Sequence, residues 1–197
     1  MMRYRVIPLL DYENALLQAK SVCPQILIER YSSHEQVMQR RLTAYLALAE
    51  LCGGSLPKMV WDENGKPYFE GSSLFCSISH TDTGAAAVIA DFPVGIDLQI
   101  LTDRGDRLAE RVCGDIEHVA MRQESDPALR NALFTRIWSG KEAAVKVCGK
   151  GLGMIGLKSI EVDLTAQTAS IGDTVYTLCY PKTELADTVC CIAKMKE

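Results

Sequence analysis

A chain of 197 residues can bury a hydrophobic core without disulfide or metal staples, and it is short enough for one domain or two small ones. Hydrophobic residues at 48%, charged residues at 23% and a net charge of -4 describe an ordinary globular protein with no overall basic field for nucleic acid or an anionic membrane. Any grip on a phosphorylated ligand must therefore come from a local cluster of cations.

The eight cysteines include no C-x-x-C pair, and Cys190 and Cys191 are adjacent, so zinc-site spacing is absent. They read as small core hydrophobes with reduced thiols, which points to the cytoplasm. The opening M-M-R-Y-R-V-I-P-L-L-D is too short an apolar run for a signal peptide, and no stretch of about 18 apolar residues marks a membrane span.

In chain order, Tyr4 to Leu9 predicts a strand and Glu13 to Val22 a helix. Ser33 is placed to cap a second helix from His34 to about Cys52, with Gln36 in the capping-box position and Gly53-Gly54 as the stop. Lys58 to Trp61 and Lys66 to Phe69 flank Asp62-Glu63-Asn64-Gly65, a hairpin signal. Strands follow at Leu74 to Ser79, Ala85 to Ala90 and Val94 to Leu98. The pattern then turns helical at Asp106 to Cys113, Ile116 to Arg122 and Pro127 to Cys148, the last with Asp126 as cap and Pro127 at its first position. Strands near Ile160 to Asp163, Thr174 to Tyr180 and Thr188 to Ala193 close the chain. Helices and strands come in blocks, which argues for an α+β fold over a doubly wound sheet. Two α+β halves, 1–98 and 99–197, are expected to form one compact body.

Four short stretches carry chemistry. Gly65-Lys66-Pro67 projects a lysine from a rigid turn. Ser77-Ile78-Ser79-His80 ends a strand, so alternation sets both serines on one face and puts His80 at a strand end facing a cleft. Val94-Gly95-Ile96-Asp97-Leu98-Gln99 sends Ile96 and Leu98 into the core and turns Asp97 and Gln99 to one side, where two oxygen-bearing groups can hold a hard cation such as magnesium. In W-S-G-K-E-A-A-V-K-V-C-G-K-G-L at 138–152, Glu142 and Lys146 stand four apart on one helix face, with Lys141 and Trp138 close by. Taken alone, that pair equally reads as a solvent-facing ion pair worth about 0.3–0.5 kcal/mol. Two lookalikes are weak. Asp82-Thr83-Gly84-Ala85 spells an aspartic-protease tetrad but sits in a turn, and Gly149-Lys150-Gly151-Leu152-Gly153 follows a helix where a phosphate-cradling loop precedes one.

Taken in order, G-K-P at 65–67, S-I-S-H at 77–80, V-G-I-D-L-Q at 94–99 and the stretch at 138–152 resemble the 4′-phosphopantetheinyl transferases of the long, surfactin-synthetase-activating type. The resemblance implies a pseudo-dimer of two similar α+β halves, each a small antiparallel sheet packed with helices, with coenzyme A in the cleft between them. It implies transfer of the phosphopantetheine arm of coenzyme A to a serine of an acyl- or peptidyl-carrier protein, releasing adenosine 3′,5′-bisphosphate with magnesium as cofactor. Carried over by motif, Asp97 and Glu142 are magnesium ligands with Gln99 beside them. Lys146 and His80 lie at the pyrophosphate, Lys66 at the nucleotide end of coenzyme A, and Arg40 at the 3′-phosphate, with Ser79 also among the residues that bind coenzyme A. The proton acceptor for the serine is Glu142 or a water on the metal. Gln99 departs from the family's commoner Glu, so the alternative is a coenzyme A-binding protein with weak or lost transfer. A monomer acting on an acidic carrier is expected, with Arg104, Arg107 and Arg111 as candidates for receiving it.

Overall fold

The computed structural model describes residues 1–24, 34–150 and 155–196, so the expected Ser33 cap and Gly151-Leu152-Gly153 lie outside the described residues. The N-terminal sheet is antiparallel, in the order β1 (Met2–Pro8), β5 (Gly84–Ala90), β4 (Phe75–His80). Helices α1 (Tyr12–Val22) and α2 (Glu35–Leu51) cover it, and a hairpin of β2 (Met59–Trp61) and β3 (Pro67–Phe69) stands beside it. Asp11 caps α1 by accepting from the Asn14 amide. The residue at the start of α2 is His34, whose side chain makes no capping bond, so this helix begins one residue later than the sequence suggested.

The C-terminal sheet is also antiparallel, in the order β6 (Val94–Ile100), β10 (Thr188–Met195), β9 (Thr174–Cys179), β8 (Thr168–Ile171), β7 (Ile160–Asp163). β6 pairs with β10, so the chain changes sheets at the turn of residues 91–93. Two short helices, α3 (Asp106–Val112) and α4 (Asp115–Gln123), lead into the long α5 (Pro127–Cys148), which lies across β6 and β10. Asp126 accepts from the Ala128 and Leu129 amides, Pro127 fills the first helical position, and Gly149 ends the helix with φ 73°.

Strand alternation sorts the core into three parts. In β5, Ala87 and Ile89 face α2, while Ala86, Val88 and Ala90 face the other sheet. There they meet Val94, Ile96 and Leu98 of β6 and Cys190 and Ile192 of β10. The opposite side of β10, Cys191 and Ala193, packs with α5. Burial of this alternating set packs the two sheets against each other.

Two glycines let α5 come close to the sheet. A Cβ on Gly95 would lie 2.2 Å from the Ala143 carbonyl oxygen and 2.9 Å from the Val147 nitrogen, both helix backbone. On Gly140 it would lie 2.7 Å from the Tyr180 hydroxyl. Strand and helix therefore touch backbone to backbone next to Asp97 and Glu142.

Candidate active site

A cleft of about 470 Å³ opens where the two sheets meet. Lys66, Ser77, Ser79, His80, Asp97, Gln99, Glu142 and Lys146 all line it, so three separated motifs and the helix converge on one space. The spacing of the strand motifs has a structural cause. Ser77 Oγ accepts from the Ile96 amide at 3.1 Å and Ser79 Oγ from the Leu98 amide at 3.1 Å. Two serines two residues apart thus match two edge amides two residues apart, which would otherwise be buried donors without partners.

Asp97 is 1% exposed and its carboxylate is held from several sides. Oδ1 accepts from Ser79 Oγ at 3.0 Å and from Lys146 Nζ at 2.8 Å, and Oδ2 accepts from Gln99 Nε2 at 2.9 Å. Lys146 also donates to the Ile96 carbonyl at 2.9 Å. The partner of Lys146 is therefore Asp97 across the cleft, in place of Glu142 one helical turn away. Glu142 accepts from the Trp138 indole at 2.9 Å. Burial first and the neighbouring Asp97 second push its carboxyl up to about 7, with Lys146 and the indole pulling the other way.

His80 keeps more than a third of its surface open, toward the cleft. Partial enclosure, then the charges of Lys146, Arg40 and Arg41, push its imidazole down to about 4, so the ring is neutral at pH 7. Lys66 reaches from the hairpin to the end of α5, where its Nζ donates to the Val147 carbonyl at 3.0 Å, and burial lowers its pKa. The cleft thus gathers several cations around a neutral ring and a pair of carboxylates, a distribution suited to a polyanion bridged by a metal.

Other residues fall elsewhere. Arg40 Nη1 pairs with Asp82 at 2.9 Å in the turn after β4 and does not line the cleft, whereas its neighbour Arg41 does. That pairing also accounts for Asp82, whose side chain is 79% exposed in the turn between β4 and β5. Lys141 points away from Glu142. It is 0% exposed, pairs with Glu117 at 2.5 Å and donates to the carbonyls of Val112 at 2.7 Å and Leu157 at 3.0 Å. Sequence reasoning also missed Arg41, Tyr45 and Trp61 as lining residues. Tyr45 and Arg41 carried a signal, since both lie on the helical repeat of α2 that faces the sheet.

Asp97 and Glu142 suit a divalent cation. Among the described residues no group of three or more His, Cys, Asp or Glu converges, so an ion held here would have two carboxylates and would need further oxygens from water or a phosphate. That is the donor set of magnesium. Burial first and the neighbouring Asp97 second disfavour the charged form of Glu142, and a cation held between the two carboxylates would offset the second of these. Among the described residues no helix is long and apolar enough to cross a membrane.

The 4′-phosphopantetheinyl transferase AcpT of Salmonella typhi is 36% identical over 118 residues, which cover 58% of this chain and 59% of that protein. The 4′-phosphopantetheinyl transferase psf-1 of Bacillus pumilus is 28% identical over 169 residues, covering 79% of this chain and 71% of its own. That of Aneurinibacillus migulanus, gsp, is 28% identical over 102 residues, covering 52% of this chain and 42% of its own. The match to the Salmonella typhi protein thus spans about three fifths of its length. A model of the 4′-phosphopantetheinyl transferase superfamily matches residues 93–192, just over half the chain. Since that match covers more than half of the chain and runs through β6 and α5, the elements that carry Asp97, Glu142 and Lys146, the chain belongs to the 4′-phosphopantetheinyl transferase superfamily.

Proposed function

We propose that this protein transfers the 4′-phosphopantetheine arm of coenzyme A to a serine of an apo acyl- or peptidyl-carrier protein in the cytoplasm, with magnesium required. The observation that carries this reading is the convergence of Asp97, Glu142 and Lys146 in one cleft with Lys66 and His80. The pyrophosphate of coenzyme A lies against Lys146, Ser79 and His80, its nucleotide end toward Lys66 and Arg41. Arg40 reaches the 3′-phosphate only by leaving Asp82. Each opposite charge about 4 Å away contributes on the order of 4 kcal/mol before desolvation at an effective dielectric near 20.

Asp97 and Glu142 would hold the magnesium ion, which when bound neutralises pyrophosphate charge that would repel the incoming hydroxyl. Ser79, Lys146 and Gln99 fix Asp97, and Trp138 fixes Glu142, so both carboxylates are oriented before substrate arrives. The serine Oγ forms its bond to the β-phosphorus of coenzyme A as the phosphoanhydride bond breaks and adenosine 3′,5′-bisphosphate leaves. The serine proton would pass to Glu142 or to a water molecule in the cleft. Exposed Ile116 and Val119 on α4, with Arg107 and Arg111 on α3, offer an apolar and basic face for an acidic carrier.

The test is incubation with coenzyme A, magnesium and a panel of apo carrier proteins, read by mass spectrometry. A phosphopantetheine mass on one carrier serine, abolished by chelator, is expected. Tight coenzyme A binding with no modification of any carrier would replace this reading with that of a binding protein.

A further inference from the structure

Arg104 lies in the loop between β6 and α3, and its guanidinium is shared between two neighbours that each hold one of the cleft carboxylates. Its Nη2 donates to Gln99 Oε1 at 2.9 Å, and Gln99 Nε2 in turn donates to Asp97 Oδ2 at 2.9 Å. Its Cζ also sits 5.4 Å from the centre of the Trp138 ring, whose Nε1 donates to Glu142 Oε1 at 2.9 Å. Phe134 supports the same indole edge to face, with ring centres 5.9 Å apart.

The chemistry of each partner fixes the direction of this chain of contacts. A guanidinium only donates and a carboxylate only accepts, so the Gln99 amide must turn its oxygen to Arg104 and its nitrogen to Asp97. A glutamate at 99 could take the first contact but would set a second carboxylate against Asp97. With Arg104 in place the Gln99 oxygen is engaged by a guanidinium donor and its nitrogen by Asp97, so both ends of the side chain are committed within the protein.

We propose that Arg104 is a positioning residue for the metal-holding pair, orienting Asp97 through Gln99 and Glu142 through Trp138, and that Gln99 serves as its connecting arm in place of a metal ligand. This rests on the reading of Asp97 and Glu142 as a magnesium site. It also separates Arg104 from Arg107 and Arg111, which remain on the carrier-facing surface.

Manganese binding to the full chain in the presence of coenzyme A and without carrier, followed by the electron paramagnetic resonance of free Mn²⁺, tests it. Arg104→Ala is expected to weaken Mn²⁺ binding about tenfold, as loss of an outer-shell partner does, and to leave the KM for carrier unchanged. Gln99→Ala is expected to weaken Mn²⁺ binding too, and adding Arg104→Ala to it should cost only what the Trp138 arm carries, less than in the wild type. Unchanged Mn²⁺ affinity in Arg104→Ala, full additivity of the two substitutions, or a raised carrier KM as the sole effect would each overturn the proposal. If the unsubstituted chain binds no Mn²⁺ with coenzyme A, the metal reading fails first and the positioning role falls with it.

Discussion

Lys141 and Lys146 lie five residues apart on α5, and their surroundings have opposite demands. Lys141 is sealed against Glu117, which also accepts from the Gly114 and Val162 amides, each at 2.8 Å, so one carboxylate ties α4, α5 and β7 together. Lys146 borders an open cleft and balances Asp97, in a place where a second carboxylate, Glu142, raises the electrostatic cost. One face of the helix is satisfied within the protein, while the other keeps charge in reserve for a ligand. The difference teaches that a single helical motif mixes residues that hold the fold with residues held by it.

Substitutions should pull these two faces apart. Lys141→Met leaves Glu117 buried without its counter-ion and is expected to lower unfolding free energy by about 3–5 kcal/mol. Urea denaturation reads this loss, and the transfer rate per folded molecule should stay near wild type. Glu142→Gln should behave in reverse. A drop in transfer of about 10²–10³-fold is expected, together with a gain in stability on the order of 1 kcal/mol at pH 8. The sign follows from a folded pKa near 7 against 4.5 unfolded, so the destabilisation is full above about 7 and gone below 4.5. A Glu142→Gln protein that proves less stable would show that this face, too, serves the fold.

Gly95→Ala should damage both faces together, because its Cβ would force β6 and α5 apart beside Asp97 and Glu142. A loss of about 1–3 kcal/mol is expected, with weaker metal binding in the fraction that folds. The smallest effect is that of pH on His80. With its folded pKa near 4 and an unfolded value of 6.5, its contribution to stability is full above 6.5 and lost as pH falls toward 4. Nuclear magnetic resonance titration should find that low value in the free protein and a rise when coenzyme A adds negative charge beside the ring. An ordinary pKa of about 6.5 without ligand would mean that the ring is less enclosed, and the surrounding cations farther off, than the structure has them.

Much of this was legible in the sequence where local rules dominate. Asp126, Pro127 and Gly149 bounded α5, and strict alternation in 94–99 set Asp97 apart from Ile96 and Leu98. β8 was not anticipated, because Thr168-Ala169-Ser170-Ile171 is short and polar and follows Gln167, which turns the chain at φ 53°. The direction of Lys141 was hidden for another reason. Its partner Glu117 is distant in sequence, and periodicity alone gives no sign that a lysine is buried. Lys146 was expected beside Glu142 on spacing, but Asp97 is the better partner since it is fully buried and needs a counter-ion. Arg40 and Arg41 were indistinguishable until the turn carrying Asp82 claimed the first of them.

The serine hydroxyls between β4 and β6 set a rule for recombining this chain with its relatives. The two edges meet through Ser77 and Ser79, so their register is a matter of side chains two residues apart, with no continuous backbone ladder to enforce it. A crossover between residues 80 and 94 would join a β4 from one parent to a β6 from another. It would succeed only where the parent that supplies β4 keeps hydroxyls at the positions of Ser77 and Ser79, since a shift of one residue would bring Ile78 opposite amides that need an acceptor. Chimeras that inherit β4 and β6 from the same parent keep this match by construction.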